Sequence, residues 1–178
     1  MEVKQLTILS IRPDMLTYFD RYQEVTQCWR RDASEWILKD VLYTRQWDEN
    51  KKAWAIGYFS RLLEQGGIIM GAFDEQKLIG FAAIDGRLFG TQDQYVNLNL
   101  LIVSYGYRNK GIGGRLFVAI SEKAIDLHAM KLYISAHSSK DSIAFYKRMG
   151  CKDAQEIIPD LIDEPFDLQL EFDLSCRR

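Results

Sequence analysis

The chain has 178 residues, of which 47% are hydrophobic and 27% charged, proportions typical of a folded protein with a sizeable core. Its 23 basic and 25 acidic residues give a formal net charge of -2, which disfavours broad electrostatic binding to nucleic acid. No apolar run is long enough to cross a bilayer and no secretory signal is evident, so no membrane partner is expected. The three cysteines are widely spaced, which predicts reduced thiols in a cytoplasmic protein and no metal site.

The first third of the chain is predicted to contain one strand and several helices. An apolar run predicts a strand over residues 6–11, and Pro13 is placed to open a helix because proline suits the first helical turn. Residues 21–65 are rich in aromatic and charged side chains and are predicted to form two or three helices, the last of which ends at Gly66.

Three strands are predicted in the middle of the chain. Residues 68–73 and Lys77–Ile84 predict a hairpin, and Tyr95–Val103 predicts the third strand. In that strand apolar residues alternate with Asn97 and Asn99 until the alternation breaks near its end. A β-bulge would produce such a break, and so would a strand end buried on both faces; the sequence leaves both explanations open.

Two helices and two strands are predicted in the last third. Residues 112–127 and 138–149 have helical periodicity, and a short strand over 132–136 separates them. Ser138 or Ser139 is expected to cap the second helix, and Gly150 follows its end. Residues 166–174 alternate between apolar and polar, which predicts a half-exposed antiparallel strand. The order of elements predicts a single domain, residues 1–178, of mixed α/β class.

Residues 106–114, between the third strand and the next helix, form a turn rich in glycine and basic residues. The first turn of a helix has unpaired N–H groups, and glycine admits a close ligand, so the turn predicts a phosphate site. A nucleotide-binding P-loop is excluded because Ile112 and Gly113 stand where its lysine and hydroxyl residue belong. A dinucleotide fingerprint is excluded because Leu116 replaces its third glycine.

The pattern Arg108-x-x-Gly111-x-Gly113 after an irregular strand resembles the pyrophosphate-binding motif of the GNAT acetyltransferase superfamily. Phe145-Tyr146, in a helix followed by Gly150, resembles a second motif of that family. The resemblance spans residues 77–151. It implies an α+β fold with a mixed, mostly antiparallel sheet of about six or seven strands flanked by helices, in which one strand is splayed and bulged at the cofactor site. It also implies an acyltransferase that moves an acetyl group from acetyl-CoA directly to an amine of a small molecule or a protein.

The resemblance also implies roles for individual residues. Tyr146 matches the family tyrosine that protonates the departing thiolate, which a phenol with a pKa near ~10 can do at neutral pH. Cofactor contacts are implied at the end of the strand, along the glycine turn and at the start of the last helix. These residues are Leu101, Ile102, Val103, Arg108, Asn109, Lys110, Gly111, Ile112, Gly113, Gly114, Arg115, Ser139 and Ser142.

The general base is not identified by the sequence. Many family members carry a glutamate on the bulged strand, whereas this chain has Asn97 and Asn99, whose amides position water but accept no proton. Asp85 could replace that carboxylate, or the acceptor could arrive as the neutral amine, and His137 lies near the expected cofactor cleft. An acidic stretch over residues 160–167 could attract a cationic amine.

Two alternatives to acetyl transfer stay open. The protein could transfer a different acyl group, since the pyrophosphate motif does not select the acyl chain. It could also be an acyl-CoA-binding or sensing module with weak or no catalysis, which the missing strand carboxylate favours and Tyr146 opposes. The sequence does not name the acceptor, and it is compatible with a homodimer.

Overall fold

A seven-stranded mixed sheet forms the centre of the computed structural model, which describes residues 1–33 and 35–175. The strands in chain order are β1 (Glu2–Gln5), β2 (Gln23–Asp32), β3 (Glu35–Arg45), β4 (Ile68–Asp74), β5 (Lys77–Ile84), β6 (Tyr95–Val103), β7 (Lys131–Ala136), β8 (Lys152–Asp153) and β9 (Leu168–Asp173). The helices are α1 (Glu49–Glu64), α2 (Ile112–Asp126) and α3 (Lys140–Arg148). The central sheet has the order β1-β4-β5-β6-β7-β9-β8, and β2 pairs with β3 in a separate hairpin. The expected mixed, mostly antiparallel sheet flanked by helices is confirmed.

The N-terminal region differs from the sequence prediction. The first strand is Glu2–Gln5, whereas residues 6–11 contain a short 3-10 helix at Ile8–Ser10. The residues after Pro13 form turns in place of the predicted helix. Residues 21–65 contain the β2–β3 hairpin and one helix in place of two or three helices. The hairpin is rich in β-branched and aromatic residues, which favour strands. A register shift between Val25 and Gln27 interrupts its period-two pattern, so the strand signal is weak in the sequence.

The middle of the chain forms the predicted β4–β5 hairpin and β6. Along the β5–β6 pairing, Ala83 lies opposite Leu100 and Ile84 lies opposite Leu98, so Asn99 has no partner residue. This is the β-bulge that the broken alternation had left as one of two explanations.

Strands β6 and β7 are parallel neighbours that separate. Their pairing is limited to Tyr95 with Lys131, Val96 with Leu132 and Asn97 with Tyr133. The C-terminal half of β6 therefore diverges from β7 and leaves a V-shaped opening in the sheet, which is the splayed strand that the resemblance implies.

Helices cover both faces of the sheet. Leu116, Phe117 and Ile120 of α2 pack on one face in the larger apolar cluster, and Ala55, Phe59 and Leu62 of α1 pack on the other. None of the described helices combines the length and the apolarity that a bilayer span requires.

The last strand was expected to be half-exposed, and that expectation is wrong. Gln169 and Glu171, its polar residues, are each only 9% exposed. Glu171 is buried with partners, since it accepts hydrogen bonds from the Tyr95 hydroxyl at 2.5 Å and from the Lys131 ammonium at 2.7 Å. Apolar and polar residues therefore alternate along β9 although the polar residues Gln169 and Glu171 are buried.

Candidate functional site

A cleft of about 940 Å³, the cofactor cleft, lies between the diverging half of β6, the turn before α2, and α3. The wall includes most of the residues that the sequence predicted for the site. These are Leu101, Ile102, Val103, Arg108, Asn109, Gly111, Ile112, Gly113, Gly114, Ser142 and Tyr146.

The turn before α2 presents backbone N–H groups to this cleft. Gly111 is the N-cap of α2 with a φ of 78°, a left-handed conformation that glycine adopts without strain. The first amide of the helix with a backbone partner is that of Arg115, which donates to the Gly111 carbonyl at 3.1 Å. The amides of the three residues before Arg115 therefore have no backbone acceptor, as expected for a first helical turn. A Cβ atom on Gly113 would lie 3.2 Å from the ring of Phe145, so glycine avoids a close contact at this part of the cleft wall.

Arg108 and Arg21 bring positive charge to the same cleft. Burial lowers the pKa of Arg108, whose guanidinium lies 5.6 Å from the centre of the Tyr105 ring. Burial, with the charges of Arg45 and Arg108, lowers the pKa of Arg21 to about 10. Both side chains stay charged at neutral pH, and an anion in the cleft would relieve their mutual repulsion.

Two further basic residues line the cleft and were not predicted from the sequence, Arg21 and, on α3, Arg148. Arg21 precedes β2 in a region predicted to be helical, and no motif marks it. Its position depends on contacts distant in sequence, since Tyr105 N–H donates to the Asp20 carbonyl at 2.8 Å and Asp20 N–H donates to Ser104 Oγ at 3.0 Å.

Tyr146 projects from α3 into the cleft wall. Its ring contacts those of Phe145 and Phe117, with centroids 5.2 and 6.4 Å away. Burial, and secondarily the neighbouring Cys151, raises the pKa of Tyr146 above its usual value, so the phenol stays protonated at neutral pH. Within the described part of the chain its hydroxyl has no hydrogen-bond partner, which leaves the O–H free to donate into the cleft.

Three predicted cofactor-binding residues lie outside the cleft wall. The Lys110 ammonium turns back to the Gly106 carbonyl at 3.0 Å, and Arg115 lines a neighbouring groove of about 750 Å³. Ser139 is buried at the N-cap of α3, where its Oγ donates to Ser142 Oγ at 2.8 Å. Their contribution to a cofactor site stays a prediction.

The asparagines of β6 lie on the sheet face that α1 covers in part. Asn99 Nδ2 donates to the Asp85 carboxylate at 2.6 Å and to the Tyr58 hydroxyl at 2.5 Å. The carboxylate that could replace the missing strand glutamate is therefore held beside the bulge. The two side-chain oxygens Asn97 Oδ1 and Asn99 Oδ1 are buried without a donor among the described residues.

His137 follows β7 and is held as a neutral imidazole. Its Nδ1 accepts from Ser139 N–H at 3.2 Å, and its Nε2 lies 3.2 Å from the Tyr43 hydroxyl. Burial, with the positive charges of Arg45, Arg21 and Arg30, lowers the pKa of His137 to about 4. Because Nδ1 is an acceptor, the hydrogen-bond network assigns the proton to Nε2.

The family model described as the acetyltransferase (GNAT) family matches residues 21–151. A comparison with curated protein sequences found no match for the chain.

Several solved structures share the fold at low sequence identity. A nourseothricin acetyltransferase is 16% identical with a TM-score of 0.69, and the match covers 98% of this chain and 99% of the other. A Bacillus anthracis protein described as a streptothricin acetyltransferase, solved with acetyl coenzyme A, is 16% identical over 96% of each chain, with a TM-score of 0.68. An aminoglycoside 6'-N-acetyltransferase complexed with coenzyme A is 15% identical with a TM-score of 0.54, over 70% of this chain and 81% of the other.

Proposed function

Because the chain belongs to the GNAT family of acetyltransferases, we propose that it transfers an acetyl group from acetyl-CoA to the amine of a small molecule. The observation that carries this proposal is the arrangement of the cofactor cleft. Unpaired amides at the start of α2 and the free hydroxyl of Tyr146 face the same space, which fits a phosphate-bearing thioester.

The chain's own residues supply binding and proton donation. The amides of the α2 N-terminus and the guanidinium groups of Arg108 and Arg21 bind the pyrophosphate of CoA. The edge of β6 that no longer pairs with β7 offers the backbone groups of Leu101, Ile102 and Val103 to the pantetheine arm. One N–H of this edge polarises the thioester carbonyl.

The transfer is a single displacement on the acetyl carbonyl. The amine nitrogen forms a bond to the carbonyl carbon, the carbon–sulfur bond breaks, and the sulfur takes the phenolic proton of Tyr146. The amine loses its own proton to solvent or to a water beside Asp85, and solvent returns a proton to the Tyr146 phenolate. The high pKa of Tyr146 keeps it in the protonated form that donation requires.

The test is a thiol-release assay with acetyl-CoA and a panel of amines, run on the wild-type protein and on Tyr146→Phe. Removal of the acid is expected to lower kcat by about 100-fold while the Kd for CoA changes little. Tyr18→Phe is the matched control, because Tyr18 is 74% exposed and does not line the cleft. An unchanged kcat in Tyr146→Phe would remove the acid assignment.

A second function, acyl-CoA binding without useful catalysis, is favoured by one observation. Asn97 and Asn99 occupy the positions on β6 where a proton acceptor would be expected, and neither amide can take a proton. Tight CoA binding by calorimetry, together with no thiol release for any amine or acyl donor, would support this function over transfer. The same assay with longer acyl donors tests transfer of a different acyl group.

A further inference from the structure

Four buried side-chain oxygens lack a hydrogen-bond donor among the described residues. They belong to Asn97, Asn99, Asp167 and Gln169. A buried acceptor without a donor destabilises the folded chain, so such a set on one surface indicates that a donor is supplied from outside the chain.

Strand register places two of these residues, Asn97 and Gln169, on one side of the sheet. Asn97 lies opposite Tyr133 on β7, and Ser135 lies opposite Gln169 on β9. The residues that alternate with them, Leu98, Ile134 and Leu170, belong to the apolar cluster around α2. Asn97 and Gln169 therefore point away from α2, on the sheet face that α1 covers in part.

The orientation of the Gln169 amide is determined by its neighbours. Its Nε2 donates to Ser135 Oγ at 3.0 Å and to the Asp167 carbonyl at 3.2 Å. Exchanging the amide oxygen and nitrogen would oppose two acceptors at the Asp167 carbonyl, so the oxygen is the atom without a partner. With the side chain only 9% exposed, this oxygen has lost most of its access to water.

Acidic residues lie beside the same surface. One carboxylate oxygen of Asp167 accepts from Glu164 N–H at 3.2 Å, and the other has no donor. The charges of Asp163 and Glu164 act on Asp167, and Asp163 also acts on Tyr58 beside Asn99. Arg45 opposes them, and it pairs with Glu164 at 3.4 Å.

An aromatic pair borders this surface on the side of α1. The ring of Tyr58 stacks on that of Trp54 at 5.4 Å with an interplanar angle of 11°, and Trp54 is 46% exposed. The Lys51 ammonium lies 3.9 Å from the centre of the Trp54 ring, so this ring already accepts a cation.

We propose that these residues form a groove for a polycationic amine, and that such a polyamine is the acetyl acceptor. The oxygen-lined groove is defined by Asn97, Asn99, Asp167 and Gln169, with Asp163 and Glu164 at its rim. An ammonium group has three donors and no acceptor, so it matches a surface whose free groups are all oxygens. The assignment of this groove to the acceptor rests on the proposed function.

The spacing of the strands indicates more than one cationic group. The free oxygens occur as one pair on β6, beside the V-shaped opening, and one pair at the start of β9. With β7 between them and β6 diverging from β7 after Asn97, these pairs lie at least two strand spacings, roughly 10 Å, apart. One amine next to the opening can reach the acetyl group while a second ammonium is anchored by Asp167 and Gln169.

Chain length in the acceptor is the first test. Linear diamines of four to ten carbons, a triamine such as spermidine, an aminoglycoside and monoamines of matched length are compared by kcat/KM. A long diamine or the triamine is expected to exceed the monoamine of equal length by about 100-fold, because the second ammonium satisfies the buried oxygens of Asp167 and Gln169. The aminoglycoside arm distinguishes a rigid polyamine from a flexible one. Equal kcat/KM for monoamines and polyamines would overturn the inference.

A variant that removes the free oxygen separates binding from a purely structural role. Gln169→Leu is expected to raise the KM for the polyamine by about tenfold while the KM for a monoamine and the Kd for CoA change little. The exposed Gln76, at the β4–β5 turn, provides Gln76→Leu as the matched control. A Gln169→Leu protein that folds normally and has an unchanged KM for the polyamine would contradict the groove.

Calorimetry with spermidine in the presence of CoA distinguishes this inference from the proposed function. Polyamine binding that weakens in Gln169→Leu, without turnover for any amine, would support the groove and overturn acetyl transfer. Turnover of amines without a preference for polyamines would support acetyl transfer and overturn the groove.

Discussion

Arg108 Nε donates to the carbonyl oxygen of Val103 at 3.0 Å, which ties the glycine turn to the last residue of β6. This bond leaves the two terminal nitrogens of the guanidinium available to the cofactor cleft. A single side chain therefore sets the turn geometry and supplies charge at the same point.

Replacement of Arg108 is expected to weaken CoA binding in two steps. Arg108→Lys keeps the charge and loses the planar fork, so the Kd for CoA should rise about threefold to tenfold, while Arg108→Ala should raise it further. Isothermal titration with CoA measures both values. Equal Kd values for the wild-type, lysine and alanine proteins would show that Arg108 does not contact the cofactor.

Gly111→Ala tests the left-handed turn at the start of α2. An alanine at a φ of 78° is strained, so the free energy of unfolding should fall by about 1 kcal/mol and CoA should bind more weakly. Gly106→Ala is the matched control, because a Cβ atom at either glycine meets no atom within 4 Å and only Gly111 has a positive φ. Urea denaturation and CoA titration of both variants measure these effects. Equal losses of stability and of CoA affinity in Gly111→Ala and Gly106→Ala would contradict the prediction.

His137 predicts a pH dependence of stability. Its pKa in the folded chain is about 4, below the value of 6.5 expected when it is unfolded, because burial and nearby arginines disfavour the charged form. Below pH 6.5 His137 takes up a proton in the unfolded chain but stays neutral in the folded chain. Its contribution to the free energy of unfolding is therefore complete above pH 6.5 and is lost as the pH falls toward 4. The wild-type protein should therefore lose more stability than His137→Gln between pH 7 and pH 5, by roughly 1 kcal/mol after solvent screening.

Urea denaturation of both proteins at each pH measures this difference. The comparison must be made between variants, because Asp167 titrates over the same range in the opposite sense. An identical pH dependence in the two proteins would show that His137 is as accessible to protons as in the unfolded chain.

Asp167 predicts a pH dependence of acceptor binding. Burial, followed by the charges of Glu164 and Asp163, raises its pKa to about 6, although Arg45 opposes the shift. Its carboxylate is therefore neutral at pH 5 and charged at pH 7, so the KM for a polyamine should fall as the pH rises through 6. In Asp167→Asn the KM should be higher at pH 7, and its change near pH 6 should flatten. Initial rates from pH 5 to 8, with the Kd for CoA as the control, check this prediction.

The sequence was sufficient for elements whose signals are local. The periodicity of α2, the serine at the start of α3 and the glycine after its end are read within a few residues, and these helices were predicted within two residues of their ends. The broken alternation near the end of β6 indicated an irregular strand, but only its pairing with β5 distinguishes a bulge at Asn99 from a strand end buried on both faces.

Other features depend on contacts that no local pattern reports. The β2–β3 hairpin is anchored by Trp29 N–H, which donates to the Ser138 carbonyl at 2.8 Å, more than a hundred residues away. Arg21 is held at the cofactor cleft by the hydrogen bonds of Asp20 with Tyr105 and Ser104, which are also distant in sequence. Gln169 was expected to face solvent because polar side chains usually do, and its burial follows from tertiary structure alone.

The divergence of β6 from β7 has a kinetic consequence. The cofactor cleft is lined by the turn before α2 and by α3, the four groove residues are not part of its lining, and the V-shaped opening lies between the two sites. Two substrates that bind at separate sites do not compete for space, so neither product needs to leave before the second substrate binds. Double-reciprocal plots at several fixed acceptor concentrations should therefore intersect and not run parallel. Free CoA should compete with acetyl-CoA and not with the amine.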